Sequence, residues 1–190
     1  MIKHMKRIFT TLAIALIAVF AYAQNNTPAG MRFELAEYED EDLDNEYAVF
    51  SYKDDDGTVG YFLGLGHEFN IVKALRDDVK DVALSHIKEV CLYLGTTSAE
   101  AIEALDGLLK FLDEKTGTAK EFPCRMATGA EKLGDAGTTT CIVTKRFLQA
   151  KRLCFHFTTG THTAEVDLTK SAIKSLKNSL KLTLKLHPTW

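Results

Sequence analysis

The sequence predicts an α+β fold: a mostly antiparallel β-sheet with two main amphipathic helices packed on one of its faces. Three observations lead there. Runs rich in Tyr, Val and Phe flank an Asp-Gly turn in EYAVFSYKDDDGTVGYFLGLG, which is a β-hairpin pattern. A capped amphipathic segment, TTSAEAIEALDGLLKFLDEKTG, separates that hairpin from a second β-rich stretch. The closing run TKSAIKSLKNSLKLTLKLHPTW spaces its lysines as a helix would.

Taken in order, the chain opens MIKHMKRIFTTLAIALIAVFAYAQ. Lys3, Lys6 and Arg7 precede an apolar run from Leu12 to Phe20 and the small-x-small triplet Ala21-Tyr22-Ala23. That is the pattern of a secretory signal peptide over residues 1–23, with an apolar run short for a membrane span. The expected destination is the periplasm or the extracellular space. Residues 24–33, polar with Pro and Gly, read as a flexible leader. Residues 34–190 are enough for a single α+β domain with a real core.

Past the hairpin, Ile71, Leu75, Val79 and Val82 keep a helical spacing, so the pattern favours a helix over 70–83, with a short hairpin about Arg76-Asp77-Asp78 as the alternative. HIKEVCLYLG (86–95) reads as a buried strand. The helix over 98–115 has Thr97 or Ser98 to cap it, Glu100 and Glu103 in its first turn, and Lys115 and Gly117 at its end. Strands are predicted over 120–128, 138–148, 151–158 and 161–168. The last segment contains LKLTLKLH, which alternates as a half-buried strand does. On a helical wheel, however, Lys170, Lys174, Lys177, Lys181 and Lys185 share one sector, beside Ile173, Leu176, Leu180 and Leu184. A period of two cannot align those lysines. The prediction is a helix over 169–187.

The two helices share Ala-Ile-x-x-Leu-x-x-x-Leu-Lys, at 101–110 and 172–181, at an offset of 71. That is the trace a duplicated β-β-β-α unit would leave. Their outer faces differ in charge: the first carries Glu100, Glu103, Asp106, Asp113 and Glu114 where the second carries lysines.

The formal net charge is −3, and cleavage after Ala23 would leave −6 by removing Lys3, Lys6 and Arg7. Such a balance argues against a nucleic-acid partner. The run ELAEYEDEDLDNE (34–46) concentrates the acid and reads as a solvated segment. Asp40, Asp42 and Asp44 match the start of a calcium loop, but Asn45 stands at its glycine and Ser51 at its bidentate glutamate.

GYFLGLGHEF (60–69) is the most unusual stretch. A dinucleotide fingerprint needs a third glycine where Phe69 stands, and Glu68 would repel phosphate. The stretch reads better as the second strand of the hairpin. With an even-length loop, Ala48, Phe50 and Tyr52 join Tyr61, Leu63 and Leu65 on the core face. Tyr47 and Val49 then join Phe62, Gly64 and Gly66 on the other, a flat face suited to a closely packed helix or to a partner. Tyr47, Phe62, Gly64 and Gly66 are therefore the candidate partner-binding residues.

The chemistry-bearing residues are few. His67, His86, His156, His162 and His187 show no zinc-site spacing. His156 and His162 flank a turn at Thr159-Gly160. A two-residue loop points them to opposite faces and a three-residue loop to the same one. In the latter case Cys154, His156, His162 and Glu165 form a metal or catalytic cluster. Cys91, Cys124, Cys141 and Cys154 lack Cys-x-x-Cys spacing. A hairpin closed at Thr128 and Gly137 sets Cys124 opposite Cys141, a candidate disulfide for an exported chain, with buried free thiols as the alternative. No nucleophile elbow or paired-carboxylate motif is present.

The expected function is that of an exported, non-catalytic module that binds a protein or glycan partner, with no cofactor and no membrane span. The alternative is a small exported hydrolase or metal-dependent enzyme built on Cys154, His156, His162 and Glu165.

Overall fold

The structure, a computed structural model, describes residues 29–41, 43, 45–65, 87–128, 132–146, 148–159 and 162–186. The expected signal peptide and the expected helix over 70–83 lie outside the described residues, as do Gly66, His67, His86 and His187. Eight strands follow the chain in one antiparallel sheet: β1 (Met31–Asp40), β2 (Asn45–Lys53), β3 (Val59–Leu65), β4 (Ile87–Gly95), β5 (Ala119–Thr128), β6 (Lys132–Lys145), β7 (Lys151–Thr159) and β8 (His162–Thr169). Helix α1 (Ser98–Asp113) follows β4, and α2 (Lys170–Leu186) follows β8. This is the expected α+β class, with every strand hydrogen-bonded to its neighbour in sequence.

Both helices bury their apolar stripes against one face of the sheet. α1 contributes Ala101, Leu105, Leu108, Phe111 and Leu112, and α2 contributes Ala172, Ile173, Leu176 and Leu180. They meet Val49, Leu63, Leu92, Val143, Leu153 and Phe155 from five strands in one continuous core. Removing that area from water is the main stabilising contribution. The sheet curls about the helices until its edge strands approach each other. Thr169 Oγ1 in β8 donates to Asp40 Oδ2 in β1 at 2.9 Å, and Tyr47 OH donates to the carbonyl of Asp167. Thr183 of α2 donates to the Leu35 carbonyl at 2.9 Å. Among the described residues, no helix is long and apolar enough to cross a membrane.

Local chemistry fixes the element ends. Thr97 caps α1 in a complete capping box: its side chain accepts from Glu100 N, and the Glu100 carboxylate accepts from Thr97 N. Thr169 caps α2, accepting from Ala172 N at 3.2 Å. The lysine stripe decided the state of the last segment correctly: Lys170–Leu186 is helical throughout.

Three expectations need correction. The hairpin loop between β2 and β3 is Asp54–Thr58, an odd number of residues, closed by Gly57 at φ +88°. An odd loop exchanges the two faces relative to an even one. Val49 therefore pairs with Leu63 and Tyr47 with Leu65 on the helix side, while Phe50 pairs with Phe62 and Ala48 with Gly64 on the far side. The glycine face is not the face that the helices cover. Second, β6 begins at Lys132 and the β5–β6 hairpin closes at Thr128 and Lys132. Cys124 pairs with Gly137 and Cys141 with Lys120, so the expected bridge has no register, and all four thiols are free and buried. Third, the acidic run is largely strand: β1 extends to Asp40, whose carboxylate is buried.

The cysteines nevertheless form two close diagonal pairs across neighbouring strands. Leu92 faces Cys124, and Ile142 faces Cys154. Each pair straddles the sheet, because Cys124 and Cys141 face the helices while Cys91 and Cys154 face away. Side chains on opposite faces cannot be bridged without moving backbone.

Candidate functional site

The far face of the sheet carries two distinct ends. Around β2, β3 and β4, Phe50, Tyr52, Phe62 and Cys91 form a small second core with Ala127 and Leu133. Phe62 stacks on Phe50 at 5.8 Å between centroids and meets Tyr93 edge-on at 5.5 Å. Two arginines lie over these rings: Arg32 at 4.5 Å from the Phe50 centroid, Arg125 at 5.5 Å from that of Tyr52. Arg32 is held by Glu89 at 2.5 Å, and Arg125 by Asp54 at 2.9 Å and by the Gly134 carbonyl at 2.7 Å.

Gly64 belongs to this end. A Cβ placed on it would sit 1.8 Å from Glu89 Oε1. Its missing side chain is the space in which the Glu89 carboxylate lies while it engages Arg32. Of the candidate partner-binding residues, Phe62 and Gly64 share this face, Phe62 being buried, and Tyr47 is buried on the opposite one.

The other end is a polar ladder on the β7–β8 hairpin. The hairpin pairs His156 with Glu165 and Cys154 with Asp167. Residues two apart on a strand share a face, so these four positions form a two-by-two block. His156 Nδ1 lies 3.1 Å from Glu165 Oε1, and Cys154 Sγ lies 3.9 Å from Glu165 Oε2. One donor atom from each of Cys154, His156 and Glu165 falls within 4.8 Å of the others. Burial grades across the three, from Cys154 at 5 % exposed to the His156 and Glu165 side chains at 25 % and 59 %. Asp167 is engaged by Arg152 at 3.2 Å, with Arg146 at 3.9 Å. Burial, then the Asp167 and Glu165 carboxylates, push the Cys154 thiol up to about 12.

Three of the four residues of the expected cluster are therefore brought together. The connection between β7 and β8 is two residues, with Thr159 paired to His162. That count gives His162 a register position on the face opposite His156 and Glu165. Asp167 takes part in the block instead, a residue missed because its place depends on the hairpin register.

The helices offer a third surface. Lys177 pairs with Asp106 and Lys170 with Asp113 at 3.1 Å, so two of the five lysines of α2 offset the acidic face of α1. Lys174, Lys181 and Lys185 are exposed and make no salt bridge among the described residues. Beside them stand Leu182 and Leu186, 59 % and 55 % exposed and four residues apart.

No family model, curated protein or solved structure matches the chain.

Proposed function

We propose that the chain is an exported, non-catalytic binding module whose partner is an acidic protein surface docked on the C-terminal half of α2. The supporting observation is the stripe in which exposed Leu182 and Leu186 stand beside exposed Lys181 and Lys185. Leucines supply apolar contact at the centre of such an interface, and lysines suit its rim, where they steer an oppositely charged partner. A protein fits better than a glycan, because sugar rings pack on flat aromatic faces and this stripe has none. The test is a photo-crosslinking residue at position 182 in the producing cell, with position 148, also exposed, as the control. The expected result is one dominant adduct at 182 only, lost when Lys174, Lys181 and Lys185 are changed to Glu. Equal adducts at both positions would sink the reading.

A second reading, a small exported hydrolase or metal-dependent enzyme, draws on the convergence of Cys154, His156 and Glu165. Turnover of activated esters or amides by the purified protein, abolished in His156→Gln, would favour it.

The domain itself reads as a duplicated unit, although each half is four strands followed by a helix and not the expected three strands and a helix. Asp106 and Lys177, which occupy equivalent positions at the offset of 71, touch each other. Contact between equivalent residues is what a two-fold axis passing between α1 and α2 produces.

A further inference from the structure

We propose that Cys154, His156 and Glu165 form a binding site for one divalent transition-metal ion of the zinc class, on the far face of the β7–β8 hairpin. The proposal is independent of partner docking on α2.

The donor set selects the ion. A thiol sulfur, an imidazole nitrogen and a carboxylate oxygen together suit zinc, or cobalt as its probe, and do not suit calcium or magnesium, which take oxygen ligands. The spacing suits it too. Zinc-to-ligand lengths of about 2.0–2.3 Å in a tetrahedron place donor atoms about 3.3–3.8 Å apart. Here the donors lie between 3.1 Å, for His156 Nδ1 and Glu165 Oε1, and at most 4.8 Å. Side-chain adjustments of about 1 Å close that gap without moving the hairpin.

The scaffold is rigid where it needs to be. Cys154 and His156 are two residues apart on β7, a strand paired on both sides, and Glu165 is directly opposite His156 on β8. The three side chains share one face, and none of them stands on a loop. Their burial gradient leaves the Glu165 side open, which gives an ion an entry path and a fourth position for water or a further donor.

A cross-strand His156–Glu165 contact beside a buried cysteine is the simpler account of the same arrangement. Comparison with the other thiols weighs against it. Cys124 and Cys141 lie in the helix-side core among apolar neighbours. Cys91 has the Glu89 carboxylate nearby, but Arg32 occupies that carboxylate. Only Cys154, among the described residues, has both an imidazole and a carboxylate within reach. The cations nearest to it do not spoil the site, because Arg152 and Arg146 are directed at Asp167.

The test is titration of the purified protein with zinc and cobalt against a competing chelator. The expected result is one equivalent of zinc bound, and a cobalt form with tetrahedral d–d bands and a thiolate-to-cobalt charge-transfer band. Cys154→Ser should abolish the charge-transfer band, and His156→Gln and Glu165→Gln should each weaken zinc binding tenfold or more. Glu165 is exposed enough for its substitution to leave the fold intact, and thermal melting of each metal-free variant checks this. No stoichiometric binding, a cobalt form without thiolate ligation, or wild-type affinity in Cys154→Ser and Glu165→Gln would each overturn the proposal.

Discussion

Gly64 shows how one residue can be tied to a distant ion pair. The space above its Cα holds the Glu89 carboxylate, which in turn holds Arg32 over the Phe50 ring. Gly64→Ala must push that carboxylate aside, since a Cβ at 1.8 Å is impossible. The substitution should destabilise the protein by about 1–3 kcal/mol, the range for overpacking a filled site. Chemical denaturation of Gly64→Ala, Glu89→Ala and the double variant would check it. The expected result is a double variant less destabilised than the sum of the singles, because removing Glu89 vacates the space. Strict additivity would refute the coupling. That something packs closely over this glycine was legible in GYFLGLGHEF. Which side chain filled the gap was not, because the answer depended on whether the β2–β3 loop was odd or even.

At the scale of elements, the helices were more legible than the strand faces, for a physical reason. A helix writes its burial in a period of 3.6, so five lysines and four apolar residues overdetermine α2 against its own alternating tail. A strand writes its burial in a period of two, and a single residue in a loop exchanges the faces. The loop Asp54–Thr58 moved Tyr47 and Val49 to the helix side in this way, and the two-residue β7–β8 connection carried His162 away from His156. Of the candidate site, Cys154 and His156 lie within one strand, and Glu165 was named with them. Setting Glu165 opposite His156, and finding Asp167 beside it, needed the register. The cap of α1 gives a prediction of its own. Glu100 accepts from Thr96 N, from Thr96 Oγ1 and from Thr97 N, at 2.7, 3.0 and 3.2 Å. These bonds, the one from the Thr96 backbone first, hold its carboxyl below the ordinary value of 4.5. A depressed folded pKa means stability that is present above the ordinary value and lost as pH falls through the folded one. Between about pH 6 and about pH 3, wild type should therefore lose more stability than Glu100→Gln, which has no charge to lose. Parallel pH profiles in thermal melts would count against the capping box as the cause.

At the scale of the whole molecule, a meander of eight strands curls until Thr169 at the end of β8 bonds Asp40 at the end of β1, and α2 packs against both strands. It donates to β1 through Thr183 and follows directly from β8. The two helices lie side by side with the acidic face of one toward the basic face of the other, so the charge asymmetry seen along the sequence is partly consumed inside the fold. Asp106 and Lys177, separated by the same 71 residues as the two helical motifs, form one of the two ion pairs between the helices among the described residues, the other being Lys170 with Asp113. If the halves descend from one unit, the Asp106–Lys177 pair is where an ancestral self-contact became complementary by diverging in charge. Asp106→Lys sets two lysines against each other and should lower the melting temperature. Lys177→Asp sets two carboxylates against each other and should do the same. Both losses should shrink with added salt, as exposed charge repulsion does. Asp106→Lys combined with Lys177→Asp restores opposite charges across the same gap and should recover most of the loss. A double variant as unstable as the sum of its parents would mean that each residue acts through neighbours of its own, and the two-fold contact between the helices would lose its support.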